Sequence, residues 1–196
     1  MKAIKFVLIL IISVFINNVS FAKDPSLLIK EIVDEAALVL SSSKSINLKI
    51  ETLNDIAERS VDINGIGMYA LGKYRKVIND EQKTKYNKLF RLYFLKSFSS
   101  RLVDYTDPKI KVNSQKKIND KYTIVNSTLE ATSKRPQVKI DWRVYTKDPN
   151  KPLIRDLIVE GLSLARTQKE EFKSVIQNND GNIEALFKTL EEFIIK

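Results

Sequence analysis

Residues 139–172, KIDWRVYTKDPNKPLIRDLIVEGLSLARTQKEEF, decide the fold. Val138, Ile140, Trp142 and Val144 alternate with Lys139, Asp141, Arg143 and Tyr145, the period-two pattern of a half-buried strand. Asp148-Pro149-Asn150-Lys151-Pro152 stops that strand, because proline fixes φ and has no N–H to offer a ladder. Leu153–Glu160 resumes as a second strand. Gly161 then releases the backbone from β geometry, and Thr167-Gln168-Lys169-Glu170 reads as a capping box that would start a helix near Gln168.

Phe172, Val175 and Ile176 share one face of that helix, and Asp180-Gly181-Asn182 breaks it. Ile183, Leu186, Phe187, Leu190, Phe193 and Ile194 mark a last amphipathic helix. Upstream, Lys109–Ile118 and Tyr122–Ala131 flank the turn residues Asn119-Asp120-Lys121. Four strands joined by short turns make an antiparallel meander rather than parallel βαβ units. Further back, Asp24-Pro25 is an N-cap followed by proline at N1. It opens a helix with Leu28, Ile29, Ile32, Val33, Ala36, Ala37 and Leu40 on one stripe. A second helix is expected over Ile46–Arg59, and a third, short one after Asp62, stopped at Gly72. The longest follows the capping signal Asn79-Asp80-Glu81-Gln82 and runs to Val103. The fold class predicted is α+β: a twisted antiparallel β-meander of about four strands covered by N- and C-terminal helices.

The first 22 residues read as a cleaved export signal. Lys2 and Lys5 form a basic start, Phe6–Phe15 an apolar run, and Ser20-Phe21-Ala22 a small-x-small cleavage site. The apolar run is shorter than the ~20 residues a spanning helix needs. Residues 23–196 are then long enough for one well-buried domain and short for two. The whole chain carries +9, and the leader removes two of those charges. For an exported protein no nucleic-acid partner is expected, and anionic membrane surfaces or acidic proteins suit the charge better. The chain has no cysteine and no histidine. Core packing alone must hold it, and most transition-metal ligation and every histidine-based nucleophile triad are excluded.

No catalytic constellation survives inspection. Gly161-Leu162-Ser163 follows a strand as a nucleophile elbow would, but Ala165 replaces the final glycine of G-x-S-x-G. Ser163 reads better as a cap or turn residue. Asp156 and Glu160 lie four apart on one strand, and paired carboxylates can do acid–base work; a lysine or backbone partner explains them equally. Asn178–Asn182 lacks the glutamate of a calcium loop and reads as a helix–helix turn. On the longest helix Tyr86, Leu89, Phe90, Tyr93, Phe94, Phe98 and Leu102 form a stripe rich in aromatics. Ordinary core and the wall of a ligand cavity both explain such a stripe. A meander with one apolar face, roofed by aromatic helices, can enclose an apolar cavity.

The order of these features resembles the MlaC-type periplasmic phospholipid-binding proteins, also called the toluene-tolerance family. The resemblance rests on Val61-Asp62-Ile63 with Leu71-Gly72-Lys73-Tyr74-Arg75, on Glu81-Gln82 before the aromatic helix, and on Arg155–Leu164, RDLIVEGLSL. Phe172 and Asp180-Gly181 before the terminal helix add to it. The family often carries a tryptophan shortly before the aspartate of RDL, where this chain has Leu153-Ile154-Arg155. The resemblance implies a monomeric periplasmic carrier without cofactor, whose cargo is phospholipid. Its partners would be an outer-membrane lipoprotein–porin complex and an inner-membrane ABC transporter complex. Large apolar side chains on the presumed inner faces are the expected tail contacts: Leu71, Phe90, Phe94, Phe98, Trp142, Val144, Ile158, Leu162 and Ile176. A small α+β enzyme acting on an apolar substrate in the same cavity is the alternative, and a solid-cored adaptor a third.

Overall fold

The computed structural model describes residues 23–133 and 135–196; the export signal expected over 1–22 lies outside them. Five strands form one antiparallel sheet in sequence order: β1 Ile110–Asn119, β2 Tyr122–Leu129, β3 Val138–Tyr145, β4 Leu153–Val159 and β5 Leu162–Ser163. The helices are α1 Pro25–Ser41, α2 Ile46–Ser60, α3 Ile63–Ala70, α4 Asp80–Leu102, α5 Leu164–Gln177 and α6 Ile183–Ile195. A 3-10 turn, Gly72–Lys76, follows α3. This is the α+β meander under helices that the sequence pattern predicts, with one strand more.

The extra strand comes from Glu160 and Gly161, whose φ values of 49° and 82° are both positive. That pair makes a two-residue hairpin turn, so Val159 pairs with Leu162 before any helix begins. The helix then starts at Leu164, about one turn earlier than the Thr167 capping box implies. Ser163 is the N-cap, its hydroxyl accepting the Arg166 N–H at 3.1 Å. Thr167 sits inside the helix and donates its hydroxyl to the Ser163 carbonyl. A cap is available one turn upstream, so the later signal goes unused.

The two faces of the sheet are covered differently. Val125, Val144 and Ile154 face Leu28, Ile29 and Val33 of α1 in one closed cluster, with Trp142, Ile110 and Val112 at its margin. The N-terminus of α1 is fastened there: Asp24 accepts the Leu27 N–H, and the Gln115 amide of β1 donates to its other oxygen at 2.8 Å. The outer edge of β4 is held by the link between α2 and α3, where Val61 bridges to Ile154 and Asp62 N–H donates to its carbonyl at 2.9 Å. That pairing blunts an otherwise open edge.

The aromatic stripe of α4 packs against other helices. Tyr86 and Phe90 are buried with Phe172 of α5 and Phe187 of α6, and Phe94 and Phe98 stack beside them. Tyr86 donates its hydroxyl to the Gly67 carbonyl at 2.8 Å, and burial pushes that hydroxyl well above the usual tyrosine range. A Cβ on Gly67 would lie 2.7 Å from the Phe90 ring, so α3 and α4 meet this closely only with glycine there.

Candidate functional site

The opposite face of the sheet looks into a cleft of about 690 Å³, within the range of small-molecule sites. α3 supplies Gly65, Met68 and Tyr69, and the turn after it supplies Arg75. The β1–β2 hairpin supplies Ile118, Asn119, Tyr122 and Ile124. Arg143 of β3, Arg155 and Asp156 of β4, and Ala165 of α5 complete the wall.

Two β-bulges shape this lining. In a regular strand neighbouring side chains point to opposite faces. Between β3 and β4, Arg143 pairs with Asp156 and Val144 with Ile154, so Arg155 is an extra residue. The bulge lets Arg155 and Asp156, adjacent in sequence, line the same cleft. The register shift between Lys117 and Asn119 does the same for Ile118 and Asn119.

Each buried charge at the site has partners. Asp156 is 4% exposed. One carboxylate oxygen accepts the Ala165 N–H at 3.0 Å, and the other accepts the Ser163 hydroxyl at 2.6 Å and the Arg143 guanidinium at 3.4 Å. It therefore latches the start of α5 onto the sheet. Arg155 donates through Nε to Asp62 at 2.6 Å and through Nη1 to the Tyr122 hydroxyl at 3.1 Å, and lies 3.6 Å above the Tyr145 ring. Burial works against its charge, but the bonds to Tyr122 and Asp62 outweigh that and hold its pKa above the ordinary arginine value. Asp62 is also the N-cap of α3, accepting the Gly65 N–H at 2.8 Å. Arg75 is different. It is exposed, and its guanidinium has no hydrogen-bond or ion-pair partner among the described residues. Lys169 adds a second cation nearby, its ammonium 5.5 Å over the Tyr69 ring.

None of the nine apolar residues expected to touch acyl tails lines this cleft. Leu71, Phe90 and Ile176 are buried in the helical cluster, with Phe94 and Phe98 packed against it. Val144 is buried under α1, with Trp142 beside it donating its indole N–H to Ser127 at 2.8 Å. Ile158 is half-buried near the β4–β5 end, and Leu162 is 59% exposed. The cleft nevertheless adjoins the helical cluster, because Met68 and Ala165 belong to both. Asp156 and Glu160 do not form a catalytic pair: Glu160 is exposed at the turn and accepts the Lys139 N–H. Among the described residues no group of acidic side chains gathers where it could hold a metal ion, and no helix is long and apolar enough to cross a membrane.

Sequence reasoning missed the arginines. The period-two rule does place Arg143 on the face opposite Trp142, but nothing in the alternation shows that this face borders a cleft. Nothing in the alternation announces Arg155, because a bulge leaves no local residue signature here.

The chain matches the family model described as MlaC protein over residues 30–192. No curated protein sequence matches it. Among solved structures it is similar to the phospholipid-binding protein from Ralstonia solanacearum, solved in complex with a phospholipid. The TM-score is 0.75 at 21% identity, over 88% of this chain and 98% of that one, a likeness of fold.

Proposed function

The chain belongs to the MlaC family, and from that premise we propose that it is a periplasmic phospholipid carrier. It holds acyl tails between sheet and helices and shuttles lipid between an outer-membrane lipoprotein–porin complex and an inner-membrane ABC transporter complex. The observation that carries this reading is the cleft itself, with Met68, Ile118, Ile124 and Ala165 as its apolar lining and arginines among them. An amphiphile with a phosphate head and hydrocarbon tails matches that division.

The tails would enter beside Ile124 and run past Met68 toward Leu71, Phe90, Phe94, Phe98 and Ile176. Methionine is the side chain best suited to yield, being unbranched and adaptable. Two tails of about 15 methylenes, at 0.8 kcal/mol for each buried CH₂, represent roughly 24 kcal/mol of transfer free energy. Release into water is therefore negligible, whereas transfer to another apolar site is nearly balanced. Delivery requires docking, for which the basic surface suits an acidic partner face or anionic membrane.

A native mass spectrum of the purified protein tests this. The expected result is a lipid-sized adduct that organic extraction yields as phospholipid. A bare polypeptide mass, unchanged after incubation with phospholipid vesicles, overturns the carrier reading.

A further inference from the structure

Building on the carrier reading, we propose that the cleft selects phospholipids of net negative head group over zwitterionic ones, and that Arg75 is the residue that discriminates. Four charged residues line the cleft: Arg75, Arg143, Arg155 and Asp156. Three of them are already spent on each other or on a neighbour. Arg143 lies against Asp156, and Arg155 against Asp62. Both carboxylates have further partners, Asp156 in Ser163 and the Ala165 N–H, Asp62 in the Gly65 N–H. Arg75 alone among the four has no ion-pair partner among the described residues, and it stands exposed on the turn after α3.

This distribution treats the two halves of a head group unequally. A phosphate finds Arg75, whose planar fork suits bidentate contact with phosphate oxygens. An ethanolamine ammonium finds no free carboxylate in the cleft lining and is repelled by Arg75 and by Lys169 above Tyr69. A glycerol head group brings the same phosphate without that positive charge. The discrimination is therefore against the ammonium as much as for the anion. An exposed charge pair is worth little, so the preference should be roughly threefold.

The test is competitive loading. The purified protein is incubated with vesicles of equimolar phosphatidylglycerol and phosphatidylethanolamine of identical acyl chains, separated from them, extracted and analysed by mass spectrometry. The readout is the ratio of the two head groups in the bound lipid. Phosphatidylglycerol should exceed phosphatidylethanolamine roughly threefold, with the ratio falling to one in Arg75→Gln and retained in Arg75→Lys. Lys188→Gln on α6 removes an equal charge away from the cleft and should keep the wild-type ratio. A wild-type ratio of one, an unchanged ratio in Arg75→Gln, or an equal loss in Lys188→Gln each overturns the selectivity while leaving the carrier reading intact. If neither lipid is recovered with the protein, both readings are overturned.

Discussion

On one face of the sheet Val125, Val144 and Ile154 are closed over by Leu28, Ile29 and Val33 of α1. On the other, Ile124, Arg143 and Asp156 look into a cleft. The strands are the same and their alternation supplies both faces, so the difference lies in what was brought to cover them. A helix with an unbroken apolar stripe seals one side. Two short elements, α3 and the start of α5, flank the other and leave space between. Apolar surface on the first face is buried by the protein's own helix; on the second, part of it borders the open cleft.

The contrast can be tested with one kind of substitution placed on each face. Val144→Asp should cost about 3–5 kcal/mol, because a charge would be left buried without a partner, and the urea midpoint should fall accordingly. Loss of less than about 1 kcal/mol would mean that α1 does not seal its face. Asp156→Asn removes the charge from the latch between β4 and α5, and should lower stability by about 2 kcal/mol, the worth of hydrogen bonds to an ionised group. Hydrogen exchange should quicken first at the start of α5; uniform acceleration would show that the latch is not local. Ile124→Asp, on the open face, should change stability by no more than about 1 kcal/mol yet reduce phospholipid recovered from the purified protein severalfold. Full lipid content in that folded variant would mean that the lipid does not lie against Ile124.

The smallest effect concerns pH. Asp24 is held below the usual carboxylate range by the Leu27 N–H, against a small burial penalty and with help from the Gln115 amide. Its folded pKa lies below the unfolded value near ~3.9. The native state therefore gains stability above that value and loses it as the pH falls through the folded pKa. Asp24→Asn keeps an accepting oxygen but cannot titrate. Its thermal midpoint should fall less than that of the wild type between pH 5 and 2, as followed by circular dichroism; parallel curves would remove Asp24 from the acid response.

Much of the closed side could be read in the chain. Asp24-Pro25 and the stripe through Leu28, Ile29 and Val33 announce α1, and the alternation through Val144 announces the face it covers. Gly72, with φ of 57°, ends α3 where a C′ glycine was expected. The start of α5 was placed too late because a Thr-x-x-Glu pattern is visible locally, whereas Ser163 is made a cap by the hairpin turn before it. The site was harder still. Phe90 and Ile176, expected to touch acyl tails, pack with residues of α3, α5 and α6, a neighbourhood that periodicity alone does not reveal. The cleft is what packing left over, and its polar residues arrive through strand irregularities that depend on long-range register.

The bulge at Arg155 implies that this recess can be edited by changing chain length. Deleting that one position would leave Val144 opposite Ile154 and Arg143 opposite Asp156, so the sealed layer under α1 would keep its pairing. The cleft would lose a cation and the tether to Asp62, and with it a strut between α3 and the sheet. A single-codon deletion thus offers a way to retune the cleft's charge and the freedom of its wall while leaving the foundation in place.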